Sequence, residues 1–423
     1  MPFVSFLVSF LASIEQFVSN LLSGFWRFVL ETGQYSIPRI SWEIFASGGW
    51  VIFLIVFLWG AWQVWVYHIQ GKFASRIKWI LLSVSAPRYN ELSPETAERM
   101  FAHLAGAYKK GNLVDRYIHG YFQTSFSFEI VSLGGRIQYF IRTPLHFRDL
   151  VESAVYGAYP DAEISEAPED YTKGAPKEFP NESYDLWGTE LTLYNDECYP
   201  IRTYPSFEYP SLKEFVDPLA SFLEILGKIS PEEQIWFQII ITPISSDWKK
   251  KGEKLVEKLM AEKTGFAPAE EREEMVPVAV LSPGDRRVIE SIQLKISKIG
   301  FRTKIRLIYL APKECFSKAR GVSGPIGALH QFNTLNMNGF KPDPKTKTTI
   351  DYFLVKKRVA WRQNKIIRNY IARSAWAGMT SFVLNIEELA SLYHFPLRTL
   401  KAPTIKKTST RKGAPPPNLP LET

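Results

Sequence analysis

Cysteine is nearly absent from this sequence. Cys198 and Cys315 stand far apart, with no CxxC pair and no neighbouring histidine, so a structural zinc site is not expected and both read as reduced thiols. Histidine is equally sparse. The six (His68, His103, His119, His146, His330 and His394) form no HExxH and no metal-like pair, and His394 reads as a packing or capping residue. No GxxxxGK[ST] occurs. The nearest glycine-rich run, Gly321-Val-Ser-Gly-Pro-Ile-Gly327, lacks the phosphate-binding lysine and carries a proline where a backbone donor is wanted, so it reads as a turn or helix-packing segment. Glu232-Glu233, Glu270-Glu271 and Glu387-Glu388 read as helix-start or loop charge. The expectation is therefore no catalytic residue, no cofactor and no metal, although catalytic groups can converge from distant positions.

What the sequence has in abundance is aromatic residues and positive charge. Its 423 residues carry a net charge of +8, which favours anionic partners, phospholipid or nucleic acid, without choosing between them. Trp26, Trp42, Trp50, Trp59, Trp62, Trp65 and Trp79 crowd the N-terminal end, as suits side chains that prefer a membrane–water boundary. Trp50 to Tyr67 (WVIFLIVFLWGAWQVWVY) carries no charge over roughly 18 residues, about the minimum for a spanning helix. Lys72, Arg76 and Lys78 follow it, which predicts that everything after the helix is cytoplasmic. Residues 3–30 form a broad apolar helix with a narrow polar stripe. It would lie in the interface or pack as a second span, and Glu15 favours the first.

Beyond the membrane segment the pattern shifts to short strands and helices. Strands are predicted at Ile77–Ala86, Phe126–Ser132, Arg136–Arg142 and Ala162–Glu166, with a hairpin at Gly134-Gly135 and helices at Ser93–Tyr108 and His146–Tyr159. That order, β-α-β-β-α-β, is the split, ferredoxin-like arrangement. The fold class expected is α+β: an N-terminal apolar or amphipathic segment (1–48), a transmembrane helix (49–70), a ferredoxin-like domain (72–168), a linker (169–186) and a second α+β domain (187–396). The second domain alternates helices with antiparallel-compatible strands and reads as a possible diverged copy of the first. An acidic insertion at about Thr264–Gly284 and a basic, Pro-rich tail (397–423) are expected to lack order of their own.

Residues 341–373 are strongly basic, with Tyr352, Phe353, Trp361 and Tyr370 interleaved. Lys356, Lys357, Arg358, Arg362, Lys365 and Arg368 are the candidate contacts for nucleic acid or lipid, against the plainer reading of a solvated face.

Several segments resemble one family. They are the spanning helix, Leu92–Ala107, FEIVSLGGRIQYFIR (128–142), LVESAVYGAYPDAEI (150–164), LNIEELASLYHFP (384–396) and the closing PPPNLPL. Together they look like the pre-motor region of membrane-anchored coupling ATPases of type IV secretion and conjugation, with the motor domain missing from this chain. The resemblance implies a non-catalytic membrane and assembly base at a cell inner membrane, oligomeric like the family, for an ATPase encoded separately and bound in trans. Under it, Leu389, Tyr393 and Phe395 would dock the motor, and Lys356–Arg368 would lie near the substrate path of a DNA or protein translocation machine. The alternative expectation is a stand-alone membrane tether that binds nucleic acid through the basic region.

Overall fold

The computed structural model describes residues 42, 45–86, 92–209, 214, 215, 217–264 and 281–396. The expectations for residues 1–41, the insertion over 265–280 and the tail 397–423 fall outside these. The chain divides into two compact units, one containing residues up to Arg76 plus Gly111–Phe122, the other Ile77–Lys110 with everything from Gln123 onward.

In the first unit, helix α1 (Trp50–Arg76) is the one described helix long and apolar enough to cross a membrane, and its apolar window is not buried against protein. A short helix, Leu113–Tyr117, packs beside it. The Trp65 indole N–H donates to the Tyr117 carbonyl at 3.2 Å, Trp62 lies 5.2 Å from the Tyr117 ring, and Phe73 meets Tyr121 and Phe122 edge-on. These contacts cover part of the aromatic end of α1.

The second unit is an antiparallel sheet of nine strands. Its first half runs β1 (Trp79–Ser85), α2 (Glu95–Leu104), β2 (Phe126–Leu133), β3 (Arg136–Pro144), α3 (Arg148–Ala158) and β4 (Glu163–Glu166). The second half runs β5 (Tyr184–Leu193), α4 (Ala220–Gly227), β6 (Gln234–Pro243), α5 (Lys249–Thr264), α6 (Pro283–Ser297), β7 (Gly300–Pro312), α7 (Gly324–Leu329) and β8 (Phe340–Pro342). It is followed by α8 (Val355–Ile371), β9 (Phe382–Asn385) and α9 (Ile386–Leu392).

The sheet order is β8-β5-β7-β6-β2-β3-β1-β4, with β9 added to β7. Within each half the order is fourth strand, first, third, second. The chain therefore holds two copies of one strand arrangement, joined through their second strands. That seam, β2 against β6, is antiparallel and runs from Phe126↔Ile241 to Leu133↔Gln234. The copies differ at the connection between their second and third strands. In the first, Gly134 and Gly135 make a tight turn between the second and third strands, both at positive φ, and a Cβ on Gly134 would clash with the Pro231 carbonyl. In the second copy, that turn is replaced by α5, α6 and the segment joining them.

The two halves expected as separate domains thus share one sheet, and the stretch expected as a linker is packed. Ala175 and Phe179 are buried, and Asp170 and Tyr171 enter the polar network described below. Both faces of the central strands are covered, which is why QIWFQIIITP reads as a nearly unbroken apolar run. One face (Phe128, Ile130, Phe237, Ile239, Leu307) packs under α2, α3, α4, α7 and α9. The other (Val131, Trp236, Ile308) packs under α8. Gly321 meets the ring of Tyr309 with no room for a side chain, so the glycine-rich run serves helix packing.

Candidate functional site: the cationic face of helix α8

Helix α8 buries Gln363, Ile366, Ile367 and Tyr370, the i, i+3, i+4, i+7 spacing of one helix face. Two amides fix its rotation. Gln363 donates to the Asp185 carboxylate at 2.8 Å and to the Leu186 carbonyl at 2.7 Å, while Asn364 exchanges two hydrogen bonds with the Phe179 backbone.

Beneath its C-terminal end a row of buried polar side chains crosses the sheet: Glu190 on β5, Arg306 on β7, Gln238 on β6 and Glu129 on β2. Arg306 Nε meets Glu190 at 2.9 Å, Nη1 meets Gln238 at 3.1 Å, and the same guanidinium donates to the carbonyls of Asn369, Ser374 and Ala377. Glu129 accepts from Ser127, Tyr171, Gln238 and, twice, Arg373. Arg373 also pairs with Asp170 at 2.7 Å. Burial alone would lower the Arg373 pKa, but Glu129, Tyr171 and Asp170 together outweigh it and hold the guanidinium above its ordinary value. For Arg306 burial prevails over Glu190 and the pKa falls below the ordinary value. Arg373 therefore belongs to the interior and not to the basic surface.

With α8 so clamped, Lys356, Lys357, Arg358 and Arg368 are exposed, and Arg362 and Lys365 half-buried. Lys345, Lys357, Arg358, Trp361 and Arg362 line one shallow depression of about 280 Å³. Lys365 lies 4.8 Å over the Trp361 ring. Arg358 donates to the Tyr352 carbonyl at 2.7 Å and Arg362 to that of Lys347 at 2.6 Å. Among the described residues none of the six candidate cations is in an ion pair. Burial, then the like charge of Arg358, lowers the Arg362 pKa. A face of this kind is electrostatically open to an anion. At its leading end, Phe353 and Leu354 both have left-handed backbone, and Phe353 is 87 % exposed, with Tyr352 and Leu354 nearly as open.

Residues 89–408 match the family model described as Domain of unknown function (DUF8128). The chain belongs to the DUF8128 family. A comparison with the curated proteins finds no match. The part of the DUF8128 region within the described residues takes in the duplicated sheet, α8 and α9.

In this DUF8128 chain the expected docking residues do not form a surface. Leu389, Tyr393 and Phe395 are all buried. Tyr393 packs edge-on against Phe128 (4.9 Å) and Tyr139 (5.6 Å), and Phe395 against Tyr159 (4.6 Å). Their spacing serves the protein's own core, so they are not available to a partner. His394 is buried too, bridging the Ala390 carbonyl (2.7 Å) and the Asp217 carboxylate (3.0 Å), which is the packing role expected of it. Sequence reasoning missed Arg302, Lys304 and Arg306. Their period-two spacing on β7 is the signal that places three cations on one face of a strand.

Proposed function

We propose that this chain is a non-catalytic, membrane-anchored assembly base for a separately encoded ATPase of a type IV secretion or conjugation-like translocation machine, braced on the anionic membrane surface by the leading end of α8. The observation that carries the membrane contact is the sequence Tyr352-Phe-Leu-Val-Lys-Lys-Arg358. Its apolar side chains are exposed beside three cations that have no ion pair among the described residues, at the cost of two left-handed residues of about 1–3 kcal/mol each. Apolar insertion plus basic charge is the combination that binds acidic bilayers, and α1 supplies a span. The assembly role rests on the resemblance of LVESAVYGAYPDAEI, LNIEELASLYHFP and PPPNLPL to the coupling ATPases. Because Leu389, Tyr393 and Phe395 are interior, the motor-docking element in this reading is the tail beyond Pro396.

The test uses the full chain in nanodiscs with an environment-sensitive dye on a Phe353→Cys variant. A blue shift in phosphatidylserine nanodiscs, absent in phosphatidylcholine and abolished by Lys356→Glu/Lys357→Glu/Arg358→Glu, is the expected result. An unshifted dye in both lipids overturns the membrane contact. The depression around Trp361 favours a second reading, nucleic-acid tethering, whose mark is DNA binding that weakens steeply with salt and is lost in Trp361→Ala.

A further inference from the structure

A cleft of about 730 Å³ in the second unit lies where the two copies of the fold diverge. At one end of the β2–β6 seam the Gly134-Gly135 turn packs tightly on the α4–β6 connection. At the other end the corresponding turn is absent, and the segment after β6 swings out to begin α5. The space left is lined by Trp248 from that segment, Tyr108 and Gln123 from the α2–β2 connection, Arg302 and Lys304 from β7, and Trp376 and Met379 from the loop after α8. The volume lies within the range of about 300–1,000 Å³ typical of small-molecule sites.

The floor is rigidly built. Lys304 is 3 % exposed and donates to the Ala377 carbonyl at 2.7 Å. Arg306 holds the Ser374 and Ala377 carbonyls, and the buried Glu190 carboxylate accepts from the Met379 N–H. Gly378 sits at positive φ directly against Glu190, where no side chain fits. The chemistry of the walls is specific. Trp376, 75 % exposed, and Trp248 offer indole faces. The exposed Arg302 guanidinium has no carboxylate partner among the described residues. The one carboxylate lining the cleft, Asp247, is engaged by Lys250 and Ser245. Thr242, Ser245, Thr380 and Ser381 add hydroxyls to the lining.

Flat apolar faces beside two cations and several hydroxyls match a planar base, a phosphate and a sugar. We propose that this cleft binds a small phosphorylated aromatic ligand of the nucleoside monophosphate class, the base against Trp376 and Trp248 and the phosphate on Arg302 and Lys304. The site uses none of the α8 cations and stands independently of the membrane and assembly reading.

The experiment is calorimetric titration of the full chain in detergent micelles with AMP, with adenosine and inorganic phosphate as controls. Saturable AMP binding is expected, tighter than either control. Arg302→Gln and Trp376→Ala, both changes at exposed side chains, should each weaken it about tenfold or more. Affinity should also fall as the pH rises from about 7 to 9, because burial lowers the Lys304 pKa to about 8. Glu190 works against that lowering and Arg306 adds to it; Arg302 and the Lys250-paired Asp247 are the other charges at the cleft. No AMP binding up to about 1 mM, or equal binding by both variants, overturns the proposal. Equal binding of phosphate and AMP overturns the assignment of the base to the indoles.

Discussion

Arg373 follows the last turn of α8 in a left-handed backbone conformation, φ 49°, that an arginine reaches only at a cost of about 1–2 kcal/mol. What holds it there is its guanidinium, shared between Glu129 and Asp170. Replacing it strands a buried carboxylate. Arg373→Met should therefore lower stability by about 3–5 kcal/mol, and Arg373→Lys should recover only part, since an ammonium cannot bridge both acids in the same plane. Thermal melting in micelles measures this, and a Met variant as stable as wild type would show that the Arg373 contacts add nothing to stability. Lys304 makes the opposite case. Its folded pKa, about 8, lies below the ordinary 10.5. Between those values the unfolded chain holds a proton that the folded chain has released, so this group's contribution to stability rises with pH there, by about 3 kcal/mol at most. The melting difference between Lys304→Met and wild type should accordingly favour the variant most below pH 8 and shrink by pH 10.5. A difference that does not change with pH would show that the amine is not held at a lowered pKa.

At the scale of elements, α9 is the instructive case. Its sequence spells its start: Asn385 and Glu388 form a reciprocal cap, with Asn385 accepting from the Glu388 N–H and the Glu388 carboxylate accepting from the Asn385 N–H. The same Glu388 is fully buried, 3.0 Å from Lys295 of α6, and also accepts from the Ile201 N–H. Neighbouring Glu387 pairs with Lys298, which reaches Glu98 of α2 at 3.1 Å. Local residues thus announce the helix, but its ion-pair partners, Lys295 and Lys298, sit about ninety positions away, where no local pattern points to them. That is also why Leu389, Tyr393 and Phe395 look equally suited to a partner and to a core. Lys295→Met should leave Glu388 unpaired and loosen α9 without disturbing the rest. Hydrogen exchange over residues 382–395 should accelerate while exchange in β2 and β3 stays slow, and uniform acceleration throughout would instead mark α9 as part of one global unit.

The whole molecule shows what a linear reading can and cannot reach. The strands and helices of the first half are legible because their apolar periodicity is local, and the Gly134-Gly135 turn marks the hairpin between β2 and β3. The shared sheet is not, because the β2–β6 seam joins strands separated by more than a hundred residues and is written only as apolar residues on both faces of each. A charge inside such a strand, like Glu129, reads as a defect until Arg373 arrives from the far end of the chain. Nor could spacing reveal that the segment after β6 opens a cleft, since that depends on which turn the second copy lost. The same architecture decides how the chain's C-terminal region should behave when cut. Phe395 is the last aromatic of the core, and α9 packs over α2. Stopping the chain after Pro396 should leave melting unchanged, while stopping it after Asn385 removes Leu389, Tyr393 and Phe395 together and should abolish cooperative unfolding, since loss of even one such buried side chain costs about 2–5 kcal/mol. In the assembly reading only the first truncation is informative about the partner: it should release the ATPase from a fully folded base. A chain ending at Pro396 that still co-purifies with the ATPase would place the docking surface on the folded unit, with the exposed face of α8 the next to be mutated.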